Sequence, residues 1–226
     1  MSFRCGGLAQ ASLSAVFALW AALPSALAQP ESEWQKTHEE SGIVVSTRSE
    51  PGDSVTTFRG QGEVKGGLLH LLAILLDDVR SKEWAKGVTR SEVLRNVDRQ
   101  TAIVYSYSEQ TWPVRDRDLV LKRTFERLPS GELRVRLVCL KSGEPESASA
   151  IRLKRCETVI LLRKIDAATT YVDYRVMADP GGNNPGWLVR WVSKNLPLET
   201  LLALRQQVKR TKGTYQPFER EWAHLN

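Results

Sequence analysis

DPGGNNPGWLVRWVSKNLPLETLLALRQQV, residues Asp179 to Val208, is a long stretch of helical rhythm near the end of a chain that otherwise reads mostly as strands. Asp179-Pro180-Gly181-Gly182 ends the preceding strand, because proline fixes φ and glycine permits positive φ. Asn183 or Asn184 can cap the helix that follows, with Pro185 near its first position, where a missing N–H costs nothing. Leu188, Val192 and Leu196 recur every fourth residue, and Leu201, Leu204 and Val208 extend the stripe beyond Pro197. Pro197 predicts a kink or short break. The other face carries Arg190, Lys194, Arg205, Lys209 and Arg210, with Trp187 and Trp191 near the start; solvent or an anionic membrane surface would suit it.

Upstream of this helix, β-branched and alternating runs predict strands at Ile43 to Arg48, Val55 to Gly60, Glu63 to Lys65, Val93 to Val97, Thr101 to Ser108, Leu119 to Glu126, Leu133 to Leu140, Ile151 to Leu162 and Thr169 to Ala178. Glu31 to Glu40 and Ser81 to Ala85 read as short helices anchored by Trp34 and Trp84. LLHLLAILLDDV, after Gly66-Gly67, is too uniformly apolar for a surface helix and is buried on most sides or floors a cavity. One large antiparallel sheet cannot leave its apolar face in water, and only these helices and the last one can cover it. The expected class is α+β, a curved antiparallel sheet gripping the terminal helix.

At the other end, Met1-Ser2-Phe3-Arg4, an apolar run through Leu23 and the small residues around Ala26 and Ala28 have the order of a secretory signal peptide. Cleavage near Ala28 leaves one domain over 29–226, exported to the periplasm or secreted; an uncleaved anchor is the alternative reading. The whole chain of 226 residues carries a formal charge of +6. With no Lys/Arg block or zinc-finger spacing, nucleic acid is not an expected partner. Cys139 and Cys156, on neighbouring predicted strands, form either a cross-strand disulfide or two separate buried thiols.

Alternation places Leu119, Leu121, Arg123 and Phe125 on one face of their strand, so Arg123 lies among apolar side chains. A guanidinium there needs a carboxylate, a carbonyl or the polar end of a ligand, and Glu92 is a candidate partner. Ile103, Tyr105 and Tyr107 share a face of the preceding strand. The histidines, His38, His70 and His224, are scattered, and His70 on the apolar helix reads as a core histidine. No metal, cofactor or catalytic constellation is expected from these spacings.

WPVRDRDLVLKR, Trp112 to Arg123, and TTYVDYRVMADPGGNNPGWLV, Thr169 to Val189, together resemble the START (steroidogenic acute regulatory protein-related lipid transfer) domain. SGIVVSTR, Ser41 to Arg48, and LETLLALR, Leu198 to Arg205, are also similar to that family, particularly its exported bacterial members. The resemblance implies a helix-grip fold around an apolar tunnel, closed by the terminal helix and the loop Gln110 to Asp118. It implies a monomeric, noncatalytic carrier or sensor of a lipid or other bulky apolar molecule, with transient membrane contact. A cyclase-type enzyme using the same tunnel is the alternative. Arg123, after Arg117-Asp118-Leu119, would hold the ligand's polar end. Tyr105, Tyr107, Tyr174, Leu188, Val192 and Leu196 would form the wall, and Trp112, with Trp187 and Trp191, would touch the membrane. The family's acidic partner for that arginine aligns within Thr101 to Ser108, which holds no carboxylate. Ile160-Leu161-Leu162 stands where the family commonly has a tryptophan.

Overall fold

The computed structural model describes residues 33–49, 55–112, 115–141, 147–179 and 186–226, with the backbone alone for 186–194. The expected signal peptide, the breaker cluster from Pro180 to Pro185, and the side chains of Trp187, Leu188, Trp191 and Val192 lie outside these descriptions. Within the compact unit Ser32–Asn226 the chain forms β1 (Gln35–Glu40), β2 (Ile43–Ser49), β3 (Thr56–Val64), α1 (Leu68–Leu76), β4 (Val88–Asn96), β5 (Thr101–Ser108), β6 (Arg117–Arg127), β7 (Leu133–Cys139), β8 (Ile151–Arg152), β9 (Cys156–Lys164), β10 (Thr170–Ala178), α2 (Gly186–Arg210) and α3 (Gln216–Glu221). The strands make one curved sheet in the order β1-β2-β3-β10-β9-β7-β6-β5-β4, with β8 beside β6. All pairings are antiparallel except the short one between β6 and β8. Alternation leaves one face of this sheet apolar, and α2 covers it, as the α+β expectation required.

Several elements depart from their sequence expectation. Glu31 to Glu40 is not a helix but ends in β1, because Ser41 and Gly42 both have positive φ, 53° and 67°, and turn the chain straight back so that Glu40 pairs with Ile43. Two consecutive positive φ values make the hairpin turn whose twist matches paired strands. Val55 to Gly60 and Glu63 to Lys65 are one strand, β3, rather than two. The glycines between them do not break it, since a Cβ on Gly60 would lie 2.8 Å from Pro197 Cβ, so this glycine lets α2 cross in contact with the sheet. Ser81 to Ala85 belongs largely to a 3₁₀ turn, Asp78–Glu83, and Ile151 to Leu162 divides into β8 and β9.

The apolar helix α1 is buried along Leu68, Leu69, Leu71, Leu72, Ala73, Ile74 and Leu75, and joins a core with Val64, Leu133, Leu162, Val172, Leu201 and Leu204. Each such leucine contributes about 1.5–3 kcal/mol through removal from water. That sum is why α2 continues through Pro197, where a kink or short break was expected, without a break. Leu198, Leu201, Leu204 and Val208 are buried beyond it, which offsets a local cost of about 3 kcal/mol. The expected basic face of α2 is partly spent on the fold: Arg205 donates to the carbonyls of Glu63 and Ser41, and Arg210 to that of Glu83.

Candidate functional site

Register fixes which side chains share the inner face. Phe58, Val176, Thr158, Leu137, Arg123 and Ala102 form one row across β3, β10, β9, β7, β6 and β5. The neighbouring row toward the C-terminal half of α2 is Gly60, Tyr174, Ile160, Val135 and Phe125, and it is tightly buried. On the other side of the Arg123 row, Cys139, Leu121, Val104 and Val93 continue the face. Leu119, Leu121, Leu137 and Val176 are only half-buried there. The close packing of the core therefore stops at the Arg123 row, and beyond it an apolar wall stands partly uncovered by described side chains.

Arg123 is itself buried. Its Nε donates to both carboxylate oxygens of Asp78, at 3.1 and 2.9 Å, with side-chain exposures of 9% and 5%. Burial holds the Asp78 carboxyl above its ordinary value, and the guanidinium opposes that push. Glu92 is not the partner: it pairs with Arg90 at 2.7 Å and lies beside Tyr105 on the opposite face. The acid comes instead from the 3₁₀ turn after α1, which is why no carboxylate on β5 was found for it. Among the described residues, neither Nη of Arg123 has a hydrogen-bond partner, so two of its nitrogens remain as donors at the edge of the apolar wall.

Tyr174 is buried on the inner face, in the tightly packed row, with its hydroxyl near Thr158 of β9 and Thr200 of α2. Burial raises the phenol to about 12, so the side chain is neutral where α2 meets β9 and β10. Leu196, half-buried, lies one residue before Pro197 on α2. Trp112 is 88% exposed at the expected loop tip.

Tyr105 and Tyr107 require a correction. They oppose Val120 and Asp118 of β6, the face away from Leu121 and Arg123. Alternation groups them correctly but does not say which face is inner. On the outer face Tyr107 donates to Asp116 at 2.8 Å, and Tyr105 meets Asp118 at 3.5 Å. Asp118 is fully buried with Arg152, which donates at 3.0 and 2.8 Å. Burial pushes its carboxyl up, but Arg152 and the Ser147 N–H outweigh it and hold the group below its ordinary value. The acid of the Arg117-Asp118-Leu119 motif thus pins the segment around β8 and does not serve Arg123. Cys139 and Cys156, left open between two states by their sequence, form a disulfide between β7 and β9, packed against Leu119, Leu121 and Leu153.

A separate cleft of about 500 Å³ lies between the start of α1, Ala167 and α3. At its wall Thr211 Oγ donates to the Gln207 carbonyl, so its oxygen accepts from His70 Nε2–H at 2.9 Å. His70 Nδ1 then faces Glu219 at 3.6 Å, and Tyr215 packs edge-on against the ring. Burial lowers the His70 value and Glu219 opposes it; the ring expected in the core is hydrogen-bonded but half-buried at the cleft wall.

An uncharacterised protein of Pseudomonas aeruginosa is 27% identical over 178 residues, 79% of this chain and 88% of its own length. The phosphatidylcholine transfer protein of mouse is 23% identical, over 72% of this chain and 78% of its own. The crystal structure of a STAR-related lipid transfer protein fragment from Xanthomonas axonopodis superposes with a TM-score of 0.72 at 29% identity, covering 78% of this chain and 98% of that one. Human STARD10, at 18% identity and a TM-score of 0.73 over 84% of this chain and 80% of its own, shares the fold. Residues 19–213 match the model of the START domain, and the chain belongs to that family.

Proposed function

We propose that this protein binds a lipid or other bulky apolar molecule between the inner sheet face and the N-terminal half of α2, and carries or senses it. The observation that supports this most directly is Arg123: a buried guanidinium whose Nε is held by Asp78 while both Nη groups have no partner among the described residues, beside half-buried Leu121 and Leu137. Such an arrangement orients the polar end of a ligand whose apolar body is removed from water at about 25 cal/mol per Å². Leu188, Val192 and Leu196 supply the helical side of the wall by their spacing, and the buried ring of Tyr174 bounds it toward the packed core. Trp112, Trp187 and Trp191 touch a membrane during exchange, with α2 and the loop that precedes β6 as the lid; Arg117 and Asp118, expected in that loop, are part of the strand. Export after cleavage near Ala28 puts this exchange in the periplasm or outside the cell. The phosphatidylcholine transfer relatives favour a lipid over other apolar cargo.

The test is native mass spectrometry of the protein purified from its producing cell, followed by organic extraction. A stoichiometric lipid or apolar metabolite bound to the wild type, and lost in Arg123→Met with the fold retained, is the expected result. A clean apo mass, with no uptake from vesicles of phosphatidylcholine, would count against it, and chemical conversion of an added substrate would point to an enzyme of cyclase type.

A further inference from the structure

The two edges of the sheet are treated differently. β1, QKTHEE, has charged or polar residues at every position, and a bulge shifts its register between Lys36 and His38. Those are the usual devices that discourage a sheet edge from pairing with another chain. β4, at the other end, has no further strand beside it among the described residues. It exposes Val93 at 37% and Leu94 at 36%, with Val97 at 54% just after it. Val79, 51% exposed, sits on the 3₁₀ turn packed against the same strand. Four of the six large hydrophobic side chains that are exposed among the described residues therefore collect at this edge.

The order of residues along β4 is self-complementary. In Ser91-Glu92-Val93-Leu94-Arg95-Asn96, reversing the strand about the Val93–Leu94 bond sets Glu92 opposite Arg95, and Val93 opposite Leu94. For this to hold in a continuous sheet, Glu92 and Arg95 must lie on one face, whereas residues three apart in a regular strand lie on opposite faces. The bulge between Val93 and Arg95 supplies the missing step. Glu92 pairs with Tyr105 and Arg95 with Ile103, both on the outer face, and Leu94 is the extra residue between them. Within the chain Arg95 has no ion-pair or hydrogen-bond partner among the described residues, and Glu92 reaches only the exposed Arg90.

We infer that β4 is a self-association edge on which a second copy of this chain pairs antiparallel over Ser91–Asn96, about a two-fold axis normal to the sheet. Each Glu92 then meets the second copy's Arg95 on the outer face, and Val93 and Leu94 of both copies leave water together at the centre. Hydrogen bonds between the two β4 backbones continue one sheet into the other. An axis normal to the sheet preserves its faces, so both inner faces and both α2 helices lie on the same side of the pair. The expectation of a monomer gives way, on this inference, to a weak and concentration-dependent dimer.

Sedimentation equilibrium of the purified chain over a concentration series tests this. The wild type is expected to rise from the mass of one chain to that of two. Glu92→Arg sets arginine against arginine twice and should weaken association at least about tenfold, while Glu92→Arg with Arg95→Glu restores opposite charges and recovers it. Leu94→Lys is a second variant that should abolish association through the central contact, and unfolding midpoints confirm that each variant is folded. A chain that stays monomeric up to millimolar concentration overturns the inference. So does a dimer indifferent to Glu92→Arg and Leu94→Lys.

Discussion

Replacing Arg123 by methionine should be among the costlier substitutions in the sheet, and its cost should depend on pH. The variant keeps the aliphatic volume on the inner face but leaves Asp78, 5% exposed, without its cation. Breaking a buried ion pair from one side costs about 3–5 kcal/mol, because a carboxylate is stranded in a poor solvent. For a domain of this size roughly 2–4 °C accompanies each kcal/mol, so the midpoint should fall by about 6–20 °C at neutral pH. The sign with pH follows from Asp78. Burial already raises its carboxyl from 3.8, and removing the guanidinium raises it further. A carboxyl whose folded value lies above its unfolded value costs stability above the folded value, and the cost fades as pH falls to 3.8. The penalty of Arg123→Met should therefore be largest at neutral pH and shrink on acidification. Adding Asp78→Leu should restore most of the stability without restoring ligand retention, which separates the two roles assigned to Arg123. Urea titrations at both ends of the pH range measure the cycle. A loss below about 1 kcal/mol, or one unchanged by pH, would refute a coupled buried pair.

Gly60→Ala should destabilise by about 1–3 kcal/mol despite the better strand propensity of alanine, since its Cβ would lie 2.8 Å from Pro197 Cβ and 3.1 Å from the Pro197 carbonyl oxygen; equal urea midpoints would mean that α2 does not bear on the sheet there. Tyr174→Phe removes a buried hydroxyl that lies near Thr158 and Thr200, and should cost about 1 kcal/mol while speeding ligand exchange through a looser α2. Exchange followed by fluorescent-lipid transfer at an unchanged rate would take Tyr174 out of the lid's fastening. His70 binds its proton less readily in the fold than at its ordinary 6.5, so the stability it contributes is full above 6.5 and is lost as pH falls through the folded value. His70→Gln should flatten that part of the stability-versus-pH curve, and a curve of unchanged slope would assign the dependence elsewhere.

The fold was legible wherever a periodicity was long and unambiguous. The stripe through Leu201, Leu204 and Val208 and the apolar run of α1 each demanded burial, and the strands between them left only one sheet to bury against. The failures were local conflicts settled by distant partners. His38 to Glu40 has no strand-like composition, yet two positive φ values at Ser41 and Gly42 close a hairpin onto β2. The insertion of β10 between β3 and β9 was likewise invisible, since no local signal tells a strand which of several equally apolar neighbours to join.

The site was legible only in part, and the reason is geometric. Alternation along one strand states which side chains travel together, so Arg123 was correctly placed with Leu119, Leu121 and Phe125. It does not state which face is inner, and Tyr105 and Tyr107 were assigned to the wrong one for that reason. Two local anomalies carry the missing information when taken as a pair. Gly60 is unfavourable in a strand and Pro197 is unfavourable in a helix, each by a sizeable local cost. A sequence that keeps both has a use for the space one provides and the flat, N–H-free surface the other presents, and in the fold they touch. Gly60 therefore marks the inner face of β3. From it the register runs through Tyr174, Ile160, Val135 and Phe125, and so to Arg123 two residues earlier on β6. The contact between two individually disfavoured residues thus orients the whole sheet, which no amount of periodicity in any single strand can do.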